Sequence, residues 1–245
     1  MDTNYIYITI LAASLLGPLA LSFDRKVGFR RKWKFLFPAM VLPAAFYIAW
    51  DIYFTYKGIW SFNENCVIGK PFYFFNLPIE EVLFFFVVPY CCVFIYECIR
   101  VYFRNLKNKA HDKIIMMVLA WLLVILGMAF YKKMYTSWTF LFTGAFILFI
   151  FFNKRFFRHF DATPFLISYS IILVPFLFVN GYLTSIPVIT YNNAHNLGLR
   201  ISTIPVEDVI YGMLLVMMNV AFFEKLKSRK RTKTTHRHHT HEAHA

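Results

Sequence analysis

Seven stretches of this 245-residue chain carry almost no charge and are each about as long as a bilayer is thick: about 4–22, 34–56, 78–99, 113–131, 136–152, 163–183 and 205–224. A run of roughly 18 or more apolar residues can cross a membrane as a helix. The pattern predicts an all-α integral membrane protein of seven transmembrane helices, with no room for a separate soluble domain. The fifth stretch, ending at Phe152, is the shortest. The first stretch could be confused with a signal peptide, but its positive charges follow the apolar run instead of preceding it, so it reads as a retained span.

Basic residues predict which way the bundle sits. With spans alternating in direction, 21 of the 26 Lys and Arg fall on one side, in the clusters Arg25–Lys34, Arg100–Lys113, Lys154–Arg158 and the tail from Lys225. The other side holds Lys57, Lys70, Lys132, Lys133 and Arg200. Short cytoplasmic loops are enriched in positive charge, so the N-terminus is expected outside and the C-terminus in the cytoplasm, in the cell's inner membrane. The net charge of +13 then reports topology and contact with anionic lipid, and not nucleic-acid binding. Cys66, Cys91, Cys92 and Cys98 show no metal-ligand spacing, and three of them lie in one apolar helix, where cysteine behaves as a small hydrophobe. The tail over 228–245 is basic and then His-rich at His236, His238, His239, His241 and His244, a composition that reads as disordered. No native metal site is expected.

Two motifs organise the chain. Pro78-Ile79-Glu80-Glu81 and Pro205-Val206-Glu207-Asp208 each open an apolar span, and each span carries one more acid near its far end, Glu97 and Glu224. Around them the halves line up: Phe23-Asp24-Arg25-Lys26 with Phe152-Asn153-Lys154-Arg155, Pro38 with Pro164, and Asp51-Ile52-Tyr53 with Asn180-Gly181-Tyr182. The predicted organisation is a first three-helix repeat over 1–103, a connector helix over 104–132 and a second three-helix repeat over 133–227. The connector matters for topology, because three spans followed directly by three more would invert the second half. With it, both acid pairs lie at the outer end, and the repeats are parallel about a pseudo-two-fold axis along the membrane normal.

Acids at membrane depth are expensive and point to function, although an acid in the first turn also serves as an ordinary helix cap. Only 13 acids occur in the whole chain, and two adjacent pairs in matching places favour a site. Consecutive residues point about 100° apart on a helix, so one acid of each pair can face the interior and the other the loop before it. Inward acids that meet cannot both ionise cheaply, which leaves a neutral acid able to donate a proton beside a carboxylate able to accept one. Thirty Phe, fifteen Tyr and five Trp supply π-faces that stabilise a carbocation without trapping it. Acid, dry pocket and aromatic walls together suit proton-initiated cyclisation of a polyene.

With these motifs and seven spans, the chain resembles the membrane lycopene cyclases, in the form where both halves are fused in one polypeptide. The resemblance implies a redox-neutral lycopene β-cyclase acting on lycopene or a related polyene carotenoid in membrane lipid, with upstream carotenoid enzymes as candidate partners. It also implies that activity depends on Glu80, Glu81, Glu207 and Asp208, without saying which donates and which accepts. Flavin-dependent cyclases are a different group with a dinucleotide fingerprint; nine glycines and no Gly-x-Gly-x-x-Gly predict no flavin and no other cofactor.

Asp51 and Asn180, at the outer ends of spans 2 and 6, could buttress the motif acids. Asn76, His195 and Arg200 belong to the long polar-aromatic loops before each motif, expected to form lids over the helix mouths or an interfacial aromatic belt. Glu97 and Glu224 lie about 28 Å of helix from their prolines, where Arg100 and Lys227 invite surface ion pairs. Substrate entry between spans 3 and 7 is one route for a polyene dissolved in the bilayer. Rival readings are a retinal protein, disfavoured because span 205–224 has no Schiff-base lysine; a prenyltransferase, which would need Asp-rich motifs; a proton-coupled transporter; a non-catalytic carotenoid-binding subunit; and a cyclase of C50 carotenoids or of ε- or γ-rings.

Overall fold

A computed structural model describes residues 5–103, 106 and 110–242, with side chains except those of Lys70 and residues 229–242. Arg104, Lys107, Lys109 and His244 lie outside the described residues. Seven helices run through it: α1 (Ile6–Leu21), α2 (Trp33–Tyr56), α3 (Ile79–Tyr102), α4 (Ala110–Ala129), α5 (Met134–Phe152), α6 (Ala162–Ser185) and α7 (Glu207–Glu242). Among the described residues, α2 to α7 are long and apolar enough to cross a membrane. The shortest helix is α1, at 16 residues, and not α5, at 19. At 1.5 Å per residue α1 covers about 24 Å. Beyond Ser228, where disorder was expected, the structure continues α7 as helix; no Gly or Pro occurs between Met213 and Glu242 to break it.

The repeats interlock. At the centre α3 lies against α7, with α1 packed on α3 and α5 on α7, while α2 crosses to α7 and α6 to α3. Each repeat's second helix therefore supports the other's third. Reciprocal hydrogen bonds fix which positions correspond: Asn76 Nδ2 donates to Ile52 O (2.9 Å) as Thr203 Oγ1 does to Gly181 O (3.2 Å). This register puts Asp51 opposite Asn180. It separates Pro38 from Pro164, which lies in the first turn of α6 whereas Pro38 lies further into α2.

The connector α4 runs along α5, where small residues let the backbones approach. A Cβ on Gly144 would lie 2.8 Å from Ala120 O and 2.8 Å from Val124 Cγ2. Backbone cannot yield as a side-chain tip can, so Gly144→Ala should cost about 1–3 kcal/mol of overpacking. A lower Tm for detergent-purified protein is the expected reading, and a native Tm would show that α4 can shift.

Among the described residues, strands occur only in the loops at the acid end. The strand β1 (Trp60–Phe62) pairs antiparallel with β4 (Ile189–Tyr191), placing Trp60 opposite Tyr191 and Ser61 opposite Thr190. The Ser61 and Thr190 hydroxyls are 2.8 Å apart. The ribbon joins equivalent loops of the two repeats and roofs the bundle between them. Two short hairpins lead into the motif helices: β2 (Tyr73–Phe74) with β3 (Leu77–Pro78), and β5 (Arg200–Ile201) with β6 (Ile204–Pro205). Their turns place Phe75 (φ 57°) and Ser202 (φ 58°) in the left-handed region at matching positions.

At the opposite, basic end the far acids are buried, contrary to the surface pairing expected for them: Glu97 is 2% and Glu224 3% exposed. Arg100 Nη1 reaches Glu224 at 2.5 Å, and Lys227 pairs with both Glu97 and, at 2.7 Å, Glu224. Lys32, from the loop before α2, also pairs with Glu97. Each repeat thus neutralises the other's carboxylate, because the packing of α3 on α7 brings the crossed partners within reach.

Candidate active site

The adjacent acids of each motif divide as the helical phase requires. The first acids turn to their own loops. Glu80 Oε1 accepts from the Ile68 N–H (2.7 Å), and Glu207 Oε1 accepts from the Leu197 N–H (2.7 Å) and the Thr136 hydroxyl (2.6 Å). Immediately after each tethered amide comes a glycine with positive φ, Gly69 (104°) and Gly198 (76°). There the chain turns through a conformation that L side chains rarely adopt. Glu80 and Glu207 are therefore loop anchors, fully buried at 1% and 0% exposure.

The second acids, Glu81 and Asp208, face inward and line one cavity. Glu81 accepts a hydrogen bond from Tyr7 (2.5 Å) and lies beside the Asp51 carboxyl in the same cavity wall. Asp51 in turn accepts from Tyr211 (2.6 Å). Two buried carboxyl groups side by side cannot both ionise cheaply, so the pair is suited to share one proton. Across the site Asp208 accepts from both Tyr135 (2.5 Å) and Tyr191 (2.9 Å), one on each carboxyl oxygen. Burial in the lid, with Asp208 beside it, holds the Tyr191 hydroxyl well above the ordinary tyrosine value and keeps it a donor. Tyr7 on α1 and Tyr135 on α5 are equivalent, as are Glu81 and Asp208.

Of the other residues singled out from sequence, Asp51 is in the acid cluster and Asn180 lines the same cavity. The remaining three hold the lid. Asn76 ties its loop to the end of α2. His195 uses its carbonyl to accept the Tyr135 N–H (2.9 Å), and its imidazole is not part of the cavity wall. Arg200 is exposed, bonded to Thr203 O (2.8 Å) and Asn193 Oδ1 (2.7 Å), and lies over the Tyr191 ring at 5.9 Å. The four tyrosines on the acids were not foreseen. The signal available was positional: Tyr7 and Tyr135 both lie close to the start of the first span of a repeat.

The acids close one end of a cavity of about 320 Å³. Trp60 and Tyr191 of the ribbon roof it, and Tyr135 and Tyr211 wall it. The rings interlock, with Tyr135 stacked on Tyr191 at 5.9 Å and Trp60 edge-on to Tyr135 at 5.3 Å. Away from the acids the cavity continues between α1, α3 and α6 past apolar side chains to Ile95. From Glu81 to Ile95 along α3 is about 21 Å at 1.5 Å per residue. A long, narrow, greasy slot ending in three buried carboxyls, two of them side by side, can take one end of a linear hydrocarbon, and such a set can both donate and accept a proton.

A family model described as Lycopene cyclase matches residues 4–99 and 132–226. The first segment holds α1, α2 and most of α3, the second holds α5, α6 and the first part of α7, and the connector α4 falls between them. No curated protein and no solved structure matches the chain.

Proposed function

The chain belongs to the lycopene cyclase family, and from that premise we propose that it is a β-cyclase, an intramolecular lyase that closes the ψ-ends of lycopene into β-ionone rings without redox change. The proton held between Asp51 and Glu81 passes to C2 of the terminal double bond, leaving the cation at C1. The C5=C6 π pair forms the C1–C6 bond and moves the cation to C5. Loss of the C6 proton to Asp208 restores a C5=C6 double bond. One proton enters and one leaves, so the product is an isomer. Tyrosine and tryptophan faces at the acid end offset the travelling positive charge, and the apolar slot excludes the water that would quench it. Glu80 and Glu207 serve the reaction by holding the lid loops.

The observation that carries this reading is that three buried carboxyls, Asp51, Glu81 and Asp208, line one end of the same apolar cavity. In the cell we place the acid end outside and the basic end, with the C-terminus, in the cytoplasm of the inner membrane, following the charge split. We assign residues 1–103 and 133–227 to the two repeats and 104–132 to the connector. The polyene comes from the surrounding lipid and from the enzymes that make it.

The test is expression in lycopene-accumulating cells followed by pigment extraction and chromatography. Conversion to γ- or β-carotene is the expected result. Unchanged lycopene in membranes that contain the protein would overturn the assignment.

A further inference from the structure

The repeats share a backbone plan but not an interior. The cavity leaves the acids along the seam between α1 and α6, where its wall includes Ser14, Pro18, Pro175 and Val179, with Gly212 of α7 behind them. By the pseudo-two-fold axis an equivalent seam exists between α5 and α2. Counting along each helix from the reciprocal contacts, Ser14 corresponds to Phe142, Val179 to Trp50, Pro175 to Phe46 and Gly212 to Phe85. Every small residue on one seam is a large ring on the other.

Those rings fill the second seam. Phe46 and Phe142 lie 5.4 Å apart, Trp50 and Phe142 5.1 Å, Phe46 and Trp50 5.5 Å, and Tyr47 and Phe85 5.4 Å. At such centroid distances the rings are in van der Waals contact and leave no slot for a chain. On the first seam Pro175 lines the cavity and is also exposed on the outer face of α6, so the wall there is one residue thick. A Cβ on Gly212 would already lie 3.3 Å from the Phe176 ring, so any larger side chain there must push α6 or enter the slot.

We propose that the α1–α6 seam is the port by which a linear polyene enters end-first from the lipid, and that the small side chains of Ser14, Val179 and Gly212 keep it open. This rests on the cyclase reading for the identity of the polyene. It replaces entry between α3 and α7, which pack against each other. Because the mirror route is filled, the three acids receive one end of the substrate per encounter. The second ring then requires the molecule to leave and return reversed.

The test gives the open seam the residues of the closed one. Val179→Trp and Ser14→Phe, from opposite walls, are expected to lower cyclised product per membrane-detected protein by about tenfold or more through steric overpacking. Phe142→Leu, on the closed seam, should remain near native. Both blocking residues already occur at equivalent positions of this fold, and if one variant fails to accumulate the other decides. Pigment that copurifies with the protein, read as visible absorbance against protein absorbance, gives a second readout.

An active native chain whose blocked variants convert and bind as well as it does would overturn the port. An inactive native chain that retains lycopene, while Val179→Trp does not, would overturn the cyclase assignment and sustain the port. An inactive chain that retains no pigment would overturn both. In a short incubation with excess lycopene, γ-carotene should accumulate before β-carotene; β-carotene without that lag would overturn the one-end rule.

Discussion

Glu81→Gln is expected to abolish ring formation, with a loss of about 10²–10⁴-fold, the usual worth of a positioned general acid. The substitution conserves shape and leaves an amide oxygen for the Tyr7 hydroxyl, which donates to Glu81 at 2.5 Å. What it removes is the carboxyl proposed to share a proton with Asp51. Glu80→Gln is the informative partner, because it changes the adjacent residue by the same atoms. Its amide oxygen can still accept the Ile68 N–H that Glu80 binds at 2.7 Å. A loss at least about tenfold smaller than for Glu81→Gln is therefore expected, since removing a single lid hydrogen bond costs only about 1 kcal/mol. Pigment conversion at matched membrane abundance measures both. Equal losses would mean that the first acid of the motif also touches the substrate.

Asp208→Asn is expected to cost about the same 10²–10⁴-fold, as the loss of a general base. Tyr135 and Tyr191, which donate to different oxygens of Asp208, would then face a group with one acceptor oxygen, so one hydroxyl loses its acceptor. The double variant Glu81→Gln/Asp208→Asn should be little worse than either single one, because steps served by one unit are strongly non-additive. Additive losses would indicate that the two acids serve separate sites.

The bundle was legible because its signals are local. Apolar length marks each span, and the Pro-x-acid-acid motif repeats in register, which also reveals the odd helix between the halves. The family model supports that reading by matching two segments around it. What escaped depends on which helix crosses to which. Asp51 stood only as a buttress, since nothing in its own span says that α2 packs across on α7 and brings it to Glu81. Glu97 and Glu224 looked like surface acids because a sequence shows the base three residues on and not the one in the other repeat. In a chain with fifteen tyrosines, Tyr191 and Tyr211 carry no local mark, and Tyr7 and Tyr135 only their matching places near the start of a repeat. The division of labour between adjacent acids was anticipated from helical phase alone, but which acid took which task required the loops. The lids, expected over the helix mouths, include a two-stranded ribbon of three residues a side, too short for a period-two pattern to declare itself.

The crossed ion pairs at the basic end bear on how such a chain could arise. Each repeat places a glutamate and, three residues later, a base on the same helix: Glu97 with Arg100, and Glu224 with Lys227. Each acid is met by the other repeat's base. A surface with this pattern is self-complementary, as an isologous dimer contact must be. A single unduplicated half could thus have paired with its own copy through the same contacts before the halves were joined. Gene fusion would then have freed the two copies to diverge, with one chamber kept for the ligand and the other given over to packing.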